Sequence, residues 1–531
     1  MHTLGQYIGT VIACRYTIPR ALAGPEHHEK LVEFFEYAIA RTVLQHPLLQ
    51  VGLVGAKSKK PAWTQLESID FRKHIEWNAT DNPAEFDLLR RKAVQFQLDT
   101  EFAELESQPG WRATVLRHYR GEPDFLEVIY SWNHANSDGM GGKIVHQTLL
   151  RELNEATTTT KNADGEPATP PPPPPPTFFQ DRVLTLPPTI AEHFTPTQHQ
   201  LAKYPLTADF LLKTLWRGAL PRSLTSKRGT EAAWAPIRTS PYATQFRSFG
   251  IGAASLGRLL AACRRRGTTL TGLLHALCLA SLASQLGAAE ARAFEAGSAL
   301  SMRRFLPARP PSRPWLVPDR TVGNLVSAMP HRFDADVVAR IRGCMRDAST
   351  ATSGLAPLLD EALENTVWEV AAAVRDELVA RLEMGVRNDL TGVMKFVGDW
   401  HAQMKEAARK PREQSWIVTN LGVLDGCPSV PTGAVGQGDG TISDNHHKIN
   451  SGKVEGTAEG ERGGCGWSID RAQFVLSAEV ASAALMVSPL AVKGKDLVVS
   501  VSWQDCVMDS AFGEQFTANL ERWCRQLGSE T

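Results

Sequence analysis

The residues best placed to do chemistry in this chain are His134 and Asp138, four positions apart in the run Y-S-W-N-H-A-N-S-D-G-M-G-G that spans Tyr130 to Gly142. An imidazole titrates near neutrality, which suits it to take a proton from a hydroxyl as a bond forms. A carboxylate one loop away suits a different task, shaping the segment that presents the base. The bare spacing is weak, because a chain this size should hold about one such pair by chance. His134 is nevertheless the only histidine here with aspartate at the fourth position after it, and Gly139 follows that aspartate. Asking for the glycine as well lowers the chance expectation to roughly 0.05.

The neighbouring elements give the motif its context. Phe125 to Trp132, F-L-E-V-I-Y-S-W, is short, aromatic and β-branched, as a buried strand should be. From Lys143 to Leu153 the residues Ile144, Val145, Leu149, Leu150 and Leu153 recur near helical spacing. Ser137 or Asp138 then falls at the N-cap of that helix. A second reading stays open at this point, in which Asp138 is only a cap and His134 only a satisfied histidine. A metal site built on the pair needs at least one more ligand, and none stands at ligand spacing. The string G-M-G-G-K resembles a phosphate-binding loop, but Ser137 and Ile144 occupy positions where glycine and Ser or Thr belong.

The rest of the 531 residues sets bounds. With 43% hydrophobic residues the chain can bury more than one core, and two domains are expected. The division falls at 1–180 and 181–531, with a Thr-, Ala- and Pro-rich crossover linker at 154–178 that ends in seven prolines, Pro170 to Pro176. Lys plus Arg and Asp plus Glu each number 57, so no net charge draws the chain to nucleic acid or to an anionic surface. Eight cysteines lie without metal-ligand spacing or a disulfide framework, which implies a reducing compartment. The N-terminus has no basic run ahead of its apolar residues, and no stretch reaches the ~18 apolar residues of a membrane span. The expectation is a cytoplasmic, monomeric protein with no transmembrane segment.

Other segments read as scaffold. Leu31, Phe34, Phe35, Ala38, Ile39 and Val43 form the inner face of a helix stopped at His46-Pro47, and His46 is assigned to the helix exit or core. Leu48 to Val54 and Trp63 to Leu66 read as strands. Leu256 to Arg266 is a helix whose arginine-rich last turn meets Gly267, and Thr271 to Leu286 is a second, buried one. The glycine-rich stretch 433–464 reads as a long flexible loop.

Taken in order, His134, Asp138 and Gly139 after a strand, "HPLL" at His46, "CRRRGTTLTGLL" from Cys263, "SMRRFLP" from Ser301, "VGN" from Val322, "VTNLGVLDG" from Val418 and "SWQDCV" from Ser502 resemble the fungal alcohol acetyltransferase family. That family sits in the HxxxD superfamily with chloramphenicol acetyltransferase, plant acyltransferases and condensation domains. The resemblance implies an α/β fold of two chloramphenicol acetyltransferase-like domains, each a mixed β-sheet flanked by helices, with an active-site tunnel at their interface. It further implies a CoA-dependent O-acyltransferase of secondary metabolism. No cofactor is bound; acyl-CoA, by default acetyl-CoA, is the co-substrate and a small-molecule alcohol the acceptor. His134 becomes the general base in direct transfer, and Gly139 allows a tight turn beside it. Asp138 becomes structural, paired with Arg303 or, as second choice, Arg304. Thr419 or Asn420 becomes the oxyanion donor, with simple turn residues as the competing reading. Condensation domains carry a histidine directly before the motif histidine. Here that residue is Asn133, which favours an ester over an amide product. Two other readings are an inactive small-molecule-binding relative and condensation-like transfer from a carrier protein.

Overall fold

Residues 2–118, 124–158, 179–188, 194–219, 229–310, 313–347, 356–427 and 466–530 are described by a computed structural model. The polyproline run and the 433–464 stretch lie outside these residues. Two large sheets organise the chain. The first has five strands in the order Ser468–Leu476, Thr10–Thr17, Phe125–Trp132, Trp111–His118 and Ile75–Thr80. Its inner strands are antiparallel and its Ile75–Thr80 edge is parallel to Trp111–His118. The second has seven strands. Thr244–Ile251, Leu497–Gln504, Leu485–Val492, Trp416–Val418, Phe294–Ser301 and Val326–Phe333 run in that order, and Val423–Leu424 pairs with Leu485–Val492. Both sheets mix parallel and antiparallel pairs, and each has its own apolar core.

The strand Ser468–Leu476, from late in the chain, pairs antiparallel with Thr10–Thr17 and so completes the first sheet, with one register shift between Arg15 and Tyr16. It also ties the two sheets together. Gln473 Nε2 donates to Ser248 Oγ at 2.8 Å, and Ser502 Oγ donates to the Leu476 carbonyl at 2.7 Å. Side chains of the second sheet thus bond directly to a strand of the first.

Several elements differ from the sequence reading in extent. The helix after the motif spans Gly139–Thr158, beginning right after Asp138 and running into the segment read as linker. Asn154 explains the extra turn: its amide donates to the Trp467 carbonyl at 3.0 Å and accepts from the Trp467 N–H at 2.9 Å, which fixes the helix end against the first sheet. Pro47–Leu49 forms a short 3₁₀ turn, so the strand expected from Leu48 starts only at Val51. The two later helices span Ala253–Arg265 and Leu270–Gln285, close to the expected bounds, and Gly267 just past the first takes a positive φ of 65°. His46 is buried, its Nε2 is 2.9 Å from Thr148 Oγ1, and burial pushes its pKa down to about 3. It is a core residue.

The second core contains a polar chain whose hydrogen-bond directions are set by chemistry. An indole N–H only donates, so His275 Nδ1, 3.0 Å from Trp416 Nε1, is an acceptor and its proton sits on Nε2. That N–H donates to Ser298 Oγ at 2.9 Å, leaving the serine proton for His331 Nε2 at 2.9 Å. His331 Nδ1 then donates to the half-exposed Glu377 at 2.6 Å. Ser298 lies on the strand that leads into Arg303 and joins both histidines. Ser298→Ala strands an imidazole N–H and a ring nitrogen in the core, so about 2 to 3 kcal/mol of stability should be lost. Guanidinium denaturation checks this, and a loss below about 0.5 kcal/mol, within the range of neutral substitutions, would show that the chain is not formed.

Candidate active site

The motif loop begins where the strand Phe125–Trp132 ends. Asn133 is buried and shapes the turn: its N–H donates to the Gly110 carbonyl at 2.8 Å, and its side-chain oxygen accepts from Ala135 N at 3.0 Å. Asn136 anchors the far side of the loop by donating to the Leu48 carbonyl at 3.1 Å. His134 stands between them, half-buried, while Ser137 and Asp138 are buried.

Asp138 divides its two oxygens between two tasks. Oδ1 accepts from Gly141 N at 2.8 Å, which caps the helix Gly139–Thr158. Oδ2 accepts from Arg303 Nη1 at 2.6 Å and from Leu325 N at 2.8 Å. Cap and ion pair therefore coexist in one carboxylate, and with both oxygens engaged it has little left to offer a metal. Arg303 is equally committed, donating also to the carbonyls of Pro318, Thr321 and Gly323 at 3.1 to 3.3 Å. Both side chains are almost wholly buried. Arg304, the alternative partner in the sequence, is exposed.

Burial lowers the pKa of His134 below its ordinary value of 6.5, opposed by the nearby Asp138 charge and by a hydrogen bond to the residue's own backbone. Asn324 Nδ2 lies 2.9 Å from the His134 carbonyl and 3.3 Å from Nδ1. The carbonyl is the better-placed acceptor, so Nδ1 is free to hold its proton against that same carbonyl. With the proton on Nδ1 the lone pair falls on Nε2. Tyr7 packs edge-on to His134 with ring centroids 5.3 Å apart, and its hydroxyl is 2.7 Å from Thr10 Oγ1. Neither Asn324 nor Tyr7 stood out in the sequence as a site residue. Asn324 was present only as the end of the "VGN" block, and Tyr7 carried no local signal.

Gly139 is needed for a reason other than a tight turn. Its φ is not positive, and a Cβ there would come within 2.9 Å of Leu421 and Phe474 side-chain carbons. Gly142 packs so closely on Trp132 that a Cβ would enter the indole ring. The glycines therefore seat the helix against a strand and against the 419–423 segment. Lys143 completes that contact, donating to the carbonyls of Leu421 and Val423 at 3.1 and 2.9 Å. Burial and the Arg303 charge lower its pKa. Thr419 and Asn420 precede these residues, yet their side chains are engaged elsewhere. Thr419 Oγ1 lies 2.8 Å from Ser488 Oγ, and Asn420 Nδ2 donates to Thr271 Oγ1 at 3.0 Å. Asn420 Oδ1 accepts from Gly422 N at 2.8 Å, a turn-forming contact. The structure brings His134, Asp138, Gly139 and Arg303 together and records no contact of Thr419 or Asn420 with His134. Trp467 packs in the first core, stacked on Phe34 at 6.2 Å.

Truncating one member of a buried ion pair leaves the other charged and unmatched, which costs about 3 to 5 kcal/mol. Arg303→Ala should lower stability by that amount. The apolar double replacement Asp138→Leu with Arg303→Met should lose less than the sum of the two single changes, as a double-mutant cycle by chemical denaturation would show. Additive losses would mean that the two side chains do not act as a pair.

The alcohol acetyltransferase family matches residues 96–313, which include both the motif and Arg303. A probable alcohol acetyltransferase, FCK4, of Fusarium pseudograminearum is 25% identical over 541 residues, covering 100% of this chain and 93% of the relative. Among solved structures, the trichothecene 15-O-acetyltransferase TRI3 from Fusarium sporotrichioides superposes with a TM-score of 0.62 at 13% identity, over 98% of this chain and 91% of that one. The starter condensation domain of the rhizomide synthetase RzmA, solved in complex with C8-CoA, superposes with a TM-score of 0.50 at 12% identity, over 99% and 90% of the two chains. The fold is thus the two-lobed one shared by these acetyltransferases and condensation domains. An alignment that runs the length of the chain, on such a fold and around such a loop, makes this protein an acyltransferase similar to the fungal alcohol acetyltransferases.

Proposed function

We propose that the enzyme transfers an acetyl group from acetyl-CoA to a hydroxyl of a small-molecule alcohol, in one step, with both substrates bound and His134 as the general base. The observation that carries this reading is the setting of His134: a half-buried imidazole on a loop held by a buried ion pair, with Nδ1 at its own carbonyl and Nε2 left to accept a proton. The alcohol oxygen attacks the thioester carbonyl carbon as Nε2 takes the hydroxyl proton. The carbon–sulfur bond then breaks, and the proton passes to the departing CoA thiolate. A thioester is already activated, so no covalent enzyme intermediate is needed, and orientation within the ternary complex supplies much of the rate advantage. CoA as carrier is supported by the C8-CoA complex of the similar condensation domain. Asn133, buried in the turn where condensation domains place a second histidine, supports an oxygen nucleophile.

Mass spectrometry of the purified protein with acetyl-CoA and a panel of hydroxylated metabolites should reveal an ester product together with free CoA. Failure to transfer from acetyl-CoA and longer acyl-CoAs across a broad panel would overturn the proposal in favour of an inactive, ligand-binding relative. His134→Ala should lower kcat by about 10²-fold or more while leaving the melting temperature close to wild type. A kcat near wild type would remove His134 from the mechanism.

The pH dependence has a defined sign. Because burial holds the His134 pKa below 6.5, kcat/KM should rise with pH along an acid limb below that value and level off at neutral pH. The nearby Asp138 charge raises this pKa against burial. Asp138→Asn should therefore move the limb to still lower pH as it reduces the rate. A limb that moves upward would contradict the assignment.

A further inference from the structure

A surface far from the motif in sequence combines features that His134 chemistry does not use. The short helix Leu390–Met394 is pinned by Asp389, which accepts from Thr391 N and Ser327 Oγ at 2.8 Å and pairs with Arg381. Thr391 and Gly392 face inward, Gly392 against Tyr204 and Leu206. Leu390 and Met394, one turn apart, are left on the outside at 52% and 48% exposure, followed by Phe396 at 63% and Trp400 at 38%. Four large apolar side chains within eleven residues therefore face solvent, which is unusual for a scattered surface.

Cations surround them. Arg387, Lys395 and Lys405 are exposed on the same stretch and have no ion-pair partner among the described residues. The tip of the hairpin formed by Val51–Val54 and Ala62–Gln65 adds the exposed Lys57, Lys59 and Lys60. Lys59 Nζ lies 3.3 Å from Asp399, and the Ala56 carbonyl is 3.2 Å from His401 Nε2, so the tip stands directly beside Trp400. The acidic residues nearby are Glu383, Asp399, which faces Lys59, Glu406, which is 4.0 Å from Arg409, and Glu106, which accepts from Gly55 N at 3.3 Å at the base of the hairpin tip. Arg387, Lys395, Lys405, Arg409, Lys57, Lys59 and Lys60 outnumber these four anions, so the local balance is positive in a chain whose total charge is zero.

We infer that this face docks on an anionic lipid surface, with Leu390, Met394, Phe396 and Trp400 entering the headgroup boundary and the six cations meeting lipid phosphates and carboxylates. Aromatic and long apolar side chains among lysines and arginines are the chemistry of an interfacial anchor, and the charge complementarity selects a lipid over a second copy of the same positive face. The attachment is peripheral. No single helix among the described residues is long and apolar enough to span a bilayer, and the bent pair Ala253–Arg265 with Leu270–Gln285 has its apolar residues in the second core. The docking face is also linked to the motif: Gln6 Nε2 donates to the Met404 carbonyl at 3.1 Å in the helix Trp400–Ala407, and the next residue, Tyr7, packs on His134. An apolar alcohol dissolved in the lipid would then lie close to the protein that modifies it.

The test is co-sedimentation of the full chain with phosphatidylcholine vesicles, with and without 30 mol% phosphatidylserine, the lipid fraction being roughly that of an anionic leaflet. Binding is expected only with the anionic lipid and should weaken as salt is raised. Each cation at such a surface is worth about a five-fold change in partitioning, so Lys57→Glu with Lys59→Glu and Lys60→Glu should reduce it by more than about 100-fold. Phe396→Asp with Trp400→Asp should abolish binding without lowering the melting temperature, since both side chains are exposed. Either of two results overturns the inference. One is a wild-type chain that ignores both vesicles; the other is variants that bind as well as it does. A concentration-dependent dimer that Phe396→Asp with Trp400→Asp dissolves, with no vesicle binding, would instead identify the face as a contact between copies.

Discussion

The site depends on how the carboxylate of Asp138 is shared. One oxygen begins a helix and the other holds an arginine and a backbone N–H from the second half of the chain. Asp138 belongs to the loop that follows the first sheet, and Arg303 follows a strand of the second. Their bond sets the two sheets in register at the point where His134 emerges. Arg303 extends this by holding three carbonyls of the 318–323 segment, which carries the chain toward Asn324. A buried ion pair adds little net stability because both charges must be stripped of water. Its contribution lies in direction: a guanidinium with four hydrogen bonds in fixed directions accepts very few arrangements of its neighbours.

That constraint also accounts for the electrostatics of His134. Burial alone would hold the imidazole neutral and make it a poor acceptor, since its protonated form would be costly. The Asp138 charge acts against burial without touching the ring, because its oxygens are turned toward Arg303, Leu325 and Gly141. The result is an imidazole whose pKa is pulled down by burial and partly restored by a charge held at a distance. A direct carboxylate contact would raise the pKa further and compete for the ring proton. Asn324 instead donates to the His134 carbonyl beside Nδ1, so its amide holds the backbone of the loop at the ring.

Legibility in the sequence followed the range of each interaction. The strand Phe125–Trp132 and the helix after it rest on local periodicity, and both were readable, the strand to the residue. The helix start was legible only through the cap, Ser137 or Asp138, because its first turn, G-M-G-G, has no apolar pattern, and the helix does begin at Gly139. What begins it is a side-chain cap, and what seats it is the close approach of Trp132. Asp138 was readable both as a cap and as an ion-pair partner, and nothing in a linear pattern says that one carboxylate does both. Arg303 came from the order of blocks in a resemblance, since 165 residues of chain separate it from Asp138. Asn324 and Tyr7 carry no periodic signal at all. The same holds for the strand Ser468–Leu476, whose partner Thr10–Thr17 lies at the opposite end of the chain.

Total charge illustrates the same limit. Equal numbers of cations and anions argue against a charged surface only if the two are evenly mixed, and folding does not mix them. Glu36, Glu127, Glu152 and Glu295 are buried, each against an arginine, so their negative charge is spent inside ion pairs. Lys57, Lys60, Arg387, Lys395 and Lys405 are exposed and have no ion-pair partner among the described residues, on the hairpin tip and the segment it touches. A neutral chain can in this way carry a positive surface, because a field outside the protein reports where charges end up and not how many of each sign the sequence contains. The elements that produce the gathering are ordinary, a short hairpin and two short helices. They meet because Lys59 reaches Asp399 and Ala56 reaches His401, across some 340 residues of sequence.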